Sequence, residues 1–198
     1  MRLLVLRHGR SCANLALAQG AGDSQMLRDP PLSEGGARGA AEYRPRLHLH
    51  LADRGFEVAS CCVGASGLLR ARQTAALLFP NKRCERFRGL GENGAVPENT
   101  PVGELYEKPD WSLAVREAAR LVRERRVYDL ALVAHGTFMR KVLSKITGRK
   151  QARFSNLGGF LLHCRLAGDD LVIESFEAVP CEVPFAPDAD RCPDYYKA

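Results

Sequence analysis

The sequence predicts an α/β protein: a three-layer α/β/α sandwich with a mostly parallel central sheet and a C-terminal β-hairpin. Three observations carry this expectation. Over residues 2–146, short apolar runs of strand length alternate with stretches of helix length, the pattern of a parallel sheet covered on both faces. Two of the apolar runs end in the same dipeptide, His8-Gly9 and His135-Gly136. Two last strand-like runs, 159–166 and 171–179, flank the turn Ala167-Gly168-Asp169-Asp170.

Residues 2–6 are continuously apolar after Arg2, as a strand buried on both faces requires, and they stop at Arg7-His8-Gly9. Residues 14–18 read as helical, and Asp29-Pro30-Pro31-Leu32-Ser33 as a turn. Ser33 followed by Glu34 and an alanine-rich stretch starts a helix expected to run to about Asp53, with Gly36, Gly39 and Pro45 counting against it. Residues 57–65 form the second expected strand, rich in valine and cysteine. A helix over 67–79 follows, with Leu68, Leu69, Ala75, Ala76 and Leu78 apolar. Residues 81–110 carry Pro97, Pro101 and Pro109 among many charges and read as a short edge strand followed by a long loop, of a length that is usually functional or disordered. An amphipathic helix spans 111–126, with Leu113, Val115, Ala118, Ala119, Leu121 and Val122 opposite an arginine face. A buried strand at 129–134 then leads into a helix over 137–146 closed by Gly148. The domain is expected to occupy 1–180, leaving 181–198 as a Pro- and Asp-rich tail lying loosely on the surface.

The 198 residues are 45% hydrophobic and 26% charged, which excludes a disordered or fibrous chain and fits one globular domain. No apolar run approaches the roughly 18 residues that cross a bilayer, and the opening MRLLVL meets Arg7-His8 too early for a signal peptide, so a cytoplasmic protein is expected. The net charge of +6 favours anionic ligands without requiring nucleic acid. Its basic residues cluster at Arg83, Arg86 and Arg88 and at Arg116, Arg120, Arg123, Arg125 and Arg126. Seven cysteines, none in paired C-x-x-C spacing and two of them vicinal at Cys61-Cys62, read as mostly free thiols rather than a disulfide framework.

In an open α/β sheet, ligands bind at the carboxyl ends of the strands. Strands packed side by side would bring His8 and His135 to that edge together, each followed by a glycine that lets backbone approach a ligand. Arg7 precedes the first histidine, and Arg70 opens the helix after the second strand, where free N–H groups also favour an anion. Arginine's planar fork takes phosphate oxygens two at a time.

Arg7-His8-Gly9-Arg10-Ser11-Cys12-Ala13-Asn14 resembles the R-H-G-x-[S/T]-x-x-N signature of the histidine phosphatase superfamily, in its phosphoglycerate-mutase-like branch (branch 1). Three further blocks follow in the family's order. Pro31-Leu32-Ser33-Glu34-Gly35-Gly36 is similar to P-L-[S/T]-x-x-G. Ser66-Gly67-Leu68-Leu69-Arg70-Ala71-Arg72-Gln73-Thr74-Ala75 is similar to S-P-L-x-R-A-x-Q-T-A, with Gly67 in place of the proline. Val133-Ala134-His135-Gly136 is similar to V-[S/A]-H-G. The resemblance implies that His8 is the nucleophile, forming a phosphohistidine that water hydrolyses. Arg7, Arg70 and His135 would hold the phosphoryl oxygens, with Ser11, Asn14 and Gly136 completing the pocket. It also implies that a glutamate protonates the leaving oxygen; Leu90-Gly91-Glu92 fits that context, and Glu98 and Glu104 are alternatives in the same loop. No metal or organic cofactor is implied. The expected activity is a metal-independent phosphomonoesterase acting on a small-molecule phosphate ester. A phosphoglycerate-mutase-type phosphotransferase and an inactive member serving as a binding module are the alternatives. Arg10 departs from the glutamate or glutamine common at its position, which points to a multiply anionic substrate.

Other motifs carry less. Gly89-Leu90-Gly91-Glu92-Asn93-Gly94 spells the dinucleotide pattern, but Pro97 and Pro101 deny it the following helix. His48-Leu49-His50 lacks further ligands at metal-binding spacing. Residues 120–126 lack the interleaved aromatic side chains of a single-strand nucleic-acid surface.

Overall fold

The computed structural model describes residues 1–20, 29–92, 108–149, 154–168, 170–181 and 190–193. Its strands are β1 (Arg2–Arg7), β2 (Cys62–Ala65), β3 (Cys84–Arg86), β4 (Asp129–Ala134), β5 (Gly159–Ala167) and β6 (Asp170–Val179). Its helices are α1 (Cys12–Ala18), α2 (Glu34–Ala52), α3 (Leu69–Leu78), α4 (Trp111–Arg125) and α5 (Gly136–Thr147). The strands form one sheet in the order β3-β2-β4-β1-β5-β6. The pairs β3-β2, β2-β4 and β4-β1 are parallel; β5 is antiparallel to both β1 and β6.

Alternation along each strand sends its apolar residues to two cores. From β1, Leu4 and Leu6 join Val63, Ala65, Ala131 and Val133 against Ala40, Tyr43, Leu47 and Leu51 of α2 and Ala71, Ala75 and Leu78 of α3. Leu3 and Val5 join Leu130, Leu132 and Phe160 on the other face, against Ala118, Leu121 and Val122 of α4 and Phe138, Met139 and Val142 of α5. Burying a leucine-sized side chain stabilises by about 1.5–3 kcal/mol. These two layers therefore hold β1 and β4, which carry the histidines, at the middle of the sandwich.

Two expectations change in the structure. The second strand begins at Cys62 rather than residue 57. The chain before it turns, with the Cys61 N–H donating to Glu57 O (2.9 Å), because β4 offers β2 a partner only from Leu130 onward. Residues 190–193 of the expected surface tail pack back onto the domain: Asp190 is 8% exposed, and Cys192 is disulfide-bonded to Cys12. Cys61, Cys62, Cys84 and Cys164 remain free thiols.

The remaining sequence signals resolve simply. Pro45 lies inside α2 but on its exposed side, while Tyr43, Leu47 and Leu51 keep the opposite face buried. Gly148 closes α5 in the left-handed conformation (φ 67°). Gly89 and Leu90 belong to a 3-10 turn whose backbone braces α4: the N–H groups of Arg88 and Gly89 donate to Glu117, both at 3.0 Å. His48 hydrogen-bonds Leu78 O (2.8 Å) and stacks on Phe79, a packing role. Among the described residues, no helix is long and apolar enough to cross a membrane.

Candidate active site

Strand register explains why the two histidines meet. Arg7 is opposite Ala134 in the parallel β1-β4 pair, so His8 and His135 leave adjacent strands at the same level. Their rings lie 5.1 Å apart, and both are buried, at 2% and 0% exposure. On the other side of β4, β2 ends at Ala65, Ser66 follows, and α3 places Arg70 at its start. Glu92 lies just beyond the 3-10 turn, and donor atoms of His8, Glu92 and His135 all lie within 4.8 Å of one another.

The ring orientations are set by fixed partners. His8 Nδ1 is 2.6 Å from the carbonyl of Gly9, an acceptor only, so Nδ1 carries the proton and Nε2 keeps its lone pair. His135 Nε2 is 2.7 Å from Ser66 Oγ, and its Nδ1 faces Glu92 Oε2 at 3.3 Å. A proton on Nδ1 suits the facing carboxylate, which assigns the Ser66 hydroxyl as donor to Nε2. The Leu68 N–H in turn donates to Ser66 Oγ (3.2 Å).

Burial foremost, then the positive fields of Arg70 and Arg7, lowers the His8 pKa well below the ordinary imidazole value. Burial, then Arg70, His8 and Arg7, likewise lowers His135 well below the ordinary value. The three clustered ligand-type residues have the spacing of a metal site, but this field favours an anion over a divalent cation.

Arg70 is 5% exposed; its Nη2 donates to Glu92 Oε2, and its Nη1, 3.9 Å from Asp29 Oδ1, makes no hydrogen bond among the described residues. Arg7 Nη1 donates to Phe154 O (2.6 Å). Gly136 is where that side chain passes: a Cβ there would stand 3.3 Å from Arg7 Nε. Asp29, read from sequence only as a turn residue, accepts from the Leu69 N–H (2.7 Å), and burial raises its carboxyl pKa.

Ser11 and Asn14 form a capping box at α1. The Asn14 N–H donates to Ser11 Oγ (3.3 Å), while the Ser11 N–H and hydroxyl each donate to Asn14 Oδ1 at 3.2 Å. Asn156 Nδ2 donates both to His8 O (3.0 Å) and to Asn14 Oδ1 (3.3 Å). With its oxygen taken three times, Asn14 is oriented as an N–H donor beside the histidine. Thr74 Oγ1 accepts from the Gly9 N–H (2.9 Å) and donates to Arg70 O (2.7 Å), tying the strand end to α3.

Arg7, His8, Ser11, Asn14, Arg70, Glu92, His135 and Gly136 are therefore at this edge of the sheet, although Ser11 spends its hydroxyl on the cap. Glu98 and Glu104 lie outside the described residues. Arg10 is ion-paired with Asp190 (3.9 Å), so the charge expected to attract a multiply anionic substrate already faces a carboxylate. Sequence reasoning gave no role to Ser66, Thr74, Asp29 or Asn156. The first two lie in the quoted motif; Asn156 had no signal.

A family model described as the histidine phosphatase superfamily (branch 1) matches residues 3–114. No curated protein matches the chain. Among solved structures, a mycobacterial glucosyl-3-phosphoglycerate phosphatase complexed with VO3 aligns with TM-score 0.57 and 17% identity, over 88% of this chain and 97% of that one. A mutant phosphoserine phosphatase from Entamoeba histolytica in complex with phosphoserine aligns with TM-score 0.53 and 16% identity, over 88% and 95%. A phosphoglycerate mutase from Bacillus anthracis aligns with TM-score 0.51 and 18% identity, over 88% and 92%. At these identities the likeness establishes the fold.

Proposed function

The chain belongs to the histidine phosphatase superfamily (branch 1), and from that premise we propose that it is a metal-independent phosphomonoesterase working through a phosphohistidine on His8. The observation that carries this reading is the buried His8–His135 pair, 5.1 Å apart, set among Arg7, Arg70 and Glu92.

His8 Nε2 is the attacking atom. Its neutral form is held by burial and by the arginines, and its ring is fixed by the Gly9 carbonyl. The ester binds as its monoanion and passes its proton to the Glu92 carboxylate; as Nε2 bonds to phosphorus, the ester oxygen departs with that proton. Arg7, Arg70 and the His135 Nδ1–H bind the three phosphoryl oxygens, whose charge they neutralise as the bond order shifts. Arg70 and His135 meanwhile exchange the Glu92 carboxylate for phosphate oxygens, which leaves Glu92 beside the leaving group. Water then attacks phosphorus, giving one proton to the Glu92 carboxylate; the P–N bond breaks, and inorganic phosphate leaves with His8 restored. Asn14 adds a neutral N–H donor at the pocket wall.

The substrate is a small-molecule phosphate ester, the class named for the similar phosphatases. The reading is tested by phosphate release from a panel of monoesters with chelator present. The wild type is expected to retain full activity, and His8→Ala to lose at least about a thousandfold. Activity abolished by chelation, or retained by His8→Ala, overturns it.

A further inference from the structure

Residues 190–192 return from the far end of the chain to the loop that carries the candidate nucleophile. A helix start leaves its first N–H groups without intrahelical partners. In α2 the Glu34 N–H donates to Arg191 O (2.9 Å), the Gly35 N–H to Asp190 Oδ1 (2.8 Å) and the Gly36 N–H to Ser33 Oγ (3.0 Å). Two of these three acceptors come from the tail. The second Asp190 oxygen accepts from the Ser33 hydroxyl (2.8 Å) and lies 3.9 Å from Arg10 Nε. Arg191 pairs with Glu34 (2.7 Å), and Cys192 is bonded to Cys12. Cys12 begins α1 directly after Ser11 and two residues before Asn14.

We propose that Cys12 and Cys192 are a thiol–disulfide latch that fastens the C-terminal segment onto the phosphate-binding loop, so that oxidation tightens phosphate binding and reduction loosens it. The proposal rests on the phosphatase reading for the identity of the anion. The oxidant is a small-molecule disulfide of the glutathione type. One protein thiolate attacks it, a small thiol leaves, and the second protein thiolate resolves the mixed disulfide with loss of the other. The two cysteines give up two electrons and two protons, and the oxidant becomes two thiols.

In the reduced chain, the segment loses its covalent tie and is held by noncovalent contacts, those of Asp190 and Arg191 among them. When it departs, the Glu34 and Gly35 N–H groups lose their acceptors, and Ser33 and Arg10 lose a carboxylate. The stretch 10–14, which adjoins His8 and carries Asn14, is then held less firmly. Apparent affinity falls in proportion to the fraction of molecules in which that stretch is in place.

The test uses the full chain, prepared either with excess dithiothreitol or with glutathione disulfide. Mass spectrometry reads the bond, calorimetry reads the Kd of inorganic phosphate, and an aryl phosphate gives KM and kcat. The oxidised form is expected to bind phosphate about fivefold more tightly, the scale of one helix cap, with KM moving in parallel and kcat nearly constant. Cys192→Ser is expected to show the reduced values in both buffers, which separates the latch from oxidation of the other cysteines. Equal phosphate affinity in the two forms, no Cys12–Cys192 bond under oxidant, or a Cys192→Ser chain that still responds overturns the latch. Redox-dependent phosphate binding without turnover of any ester leaves the latch standing and removes the phosphatase reading. Ester turnover with the same KM in both forms does the reverse. Absence of phosphate binding in both forms removes both.

Discussion

The Asn156 amide is the clearest single-residue device in the molecule. Its two N–H bonds diverge, one to the carbonyl of His8 and one to Asn14 Oδ1, so one side chain sets the His8 backbone and the orientation of a neighbouring donor. If it acts through Asn14, the two residues are coupled. Removing either is expected to cost about 1 kcal/mol of transition-state stabilisation, the worth of one hydrogen bond. Asn14→Ala and Asn156→Ala together are then expected to cost less than the sum of the single changes. Additive losses in kcat/KM would show that Asn156 merely supports the loop. At this scale the sequence was informative wherever a residue type announces its chemistry: His8, His135, Arg7 and Arg70 sit in motif blocks, and an arginine beside a histidine points to an anion. Asn156 and Asp29 were not legible, because their roles arise from hydrogen bonds between segments distant in the chain. The ion-pair partner of Arg10 was not legible for the same reason, Asp190 lying 180 residues away.

Among elements, the register of β1 against β4 carries the site, and the docking of α2 against the 10–12 stretch closes it. Ser33 N–H donates to Arg10 O and Cys12 N–H to Pro31 O, both at 3.0 Å, around the bridge between Ser11 and Leu32. This crossing is so close that a Cβ on Gly36 would stand 2.0 Å from the Arg10 carbonyl oxygen. Gly36→Ala is therefore expected to push α2 away from the loop, destabilising the fold by about 1–3 kcal/mol and raising KM with it. Urea unfolding together with steady-state kinetics checks this, and a variant with unchanged stability and KM would contradict it. Strands and helices were largely legible because apolar periodicity follows burial on the two sheet faces. The start of β2 was not, since residues 57–61 look strand-like by composition, and only the absence of a β4 partner there turns the chain.

The molecule as a whole encloses two neutral imidazoles in a positive field, and this makes its stability depend on pH. In the unfolded chain each histidine takes up a proton near pH 6.5; in the folded chain, burial and the arginines keep both neutral to well below that value. Below about pH 6.5 the unfolded state thus binds more protons, and stability falls as pH falls, by up to about 1.4 kcal/mol per pH unit for each histidine. Unfolding in urea at pH 7.5, 6.5 and 5.5 should show this decline, and His8→Ala should make it shallower. A flat profile in the wild type would mean that the site is open enough to protonate in the folded state. The three-layer architecture was legible from the order of apolar runs. The return of the tail was not, because it depends on Asp190 and Cys192 finding α2 and Cys12, and local composition there reads only as a loose segment.

The central claim is that phosphorus passes through His8, and the most direct measurement is to trap it. The enzyme is mixed with excess aryl phosphate, denatured within milliseconds, and digested for mass spectrometry. The account predicts a phosphoryl group on the peptide containing His8, stable in base, lost in acid, and absent in His8→Ala. Rapid turnover with no phosphorylated peptide at any time point, and with activity surviving in His8→Ala, would contradict it.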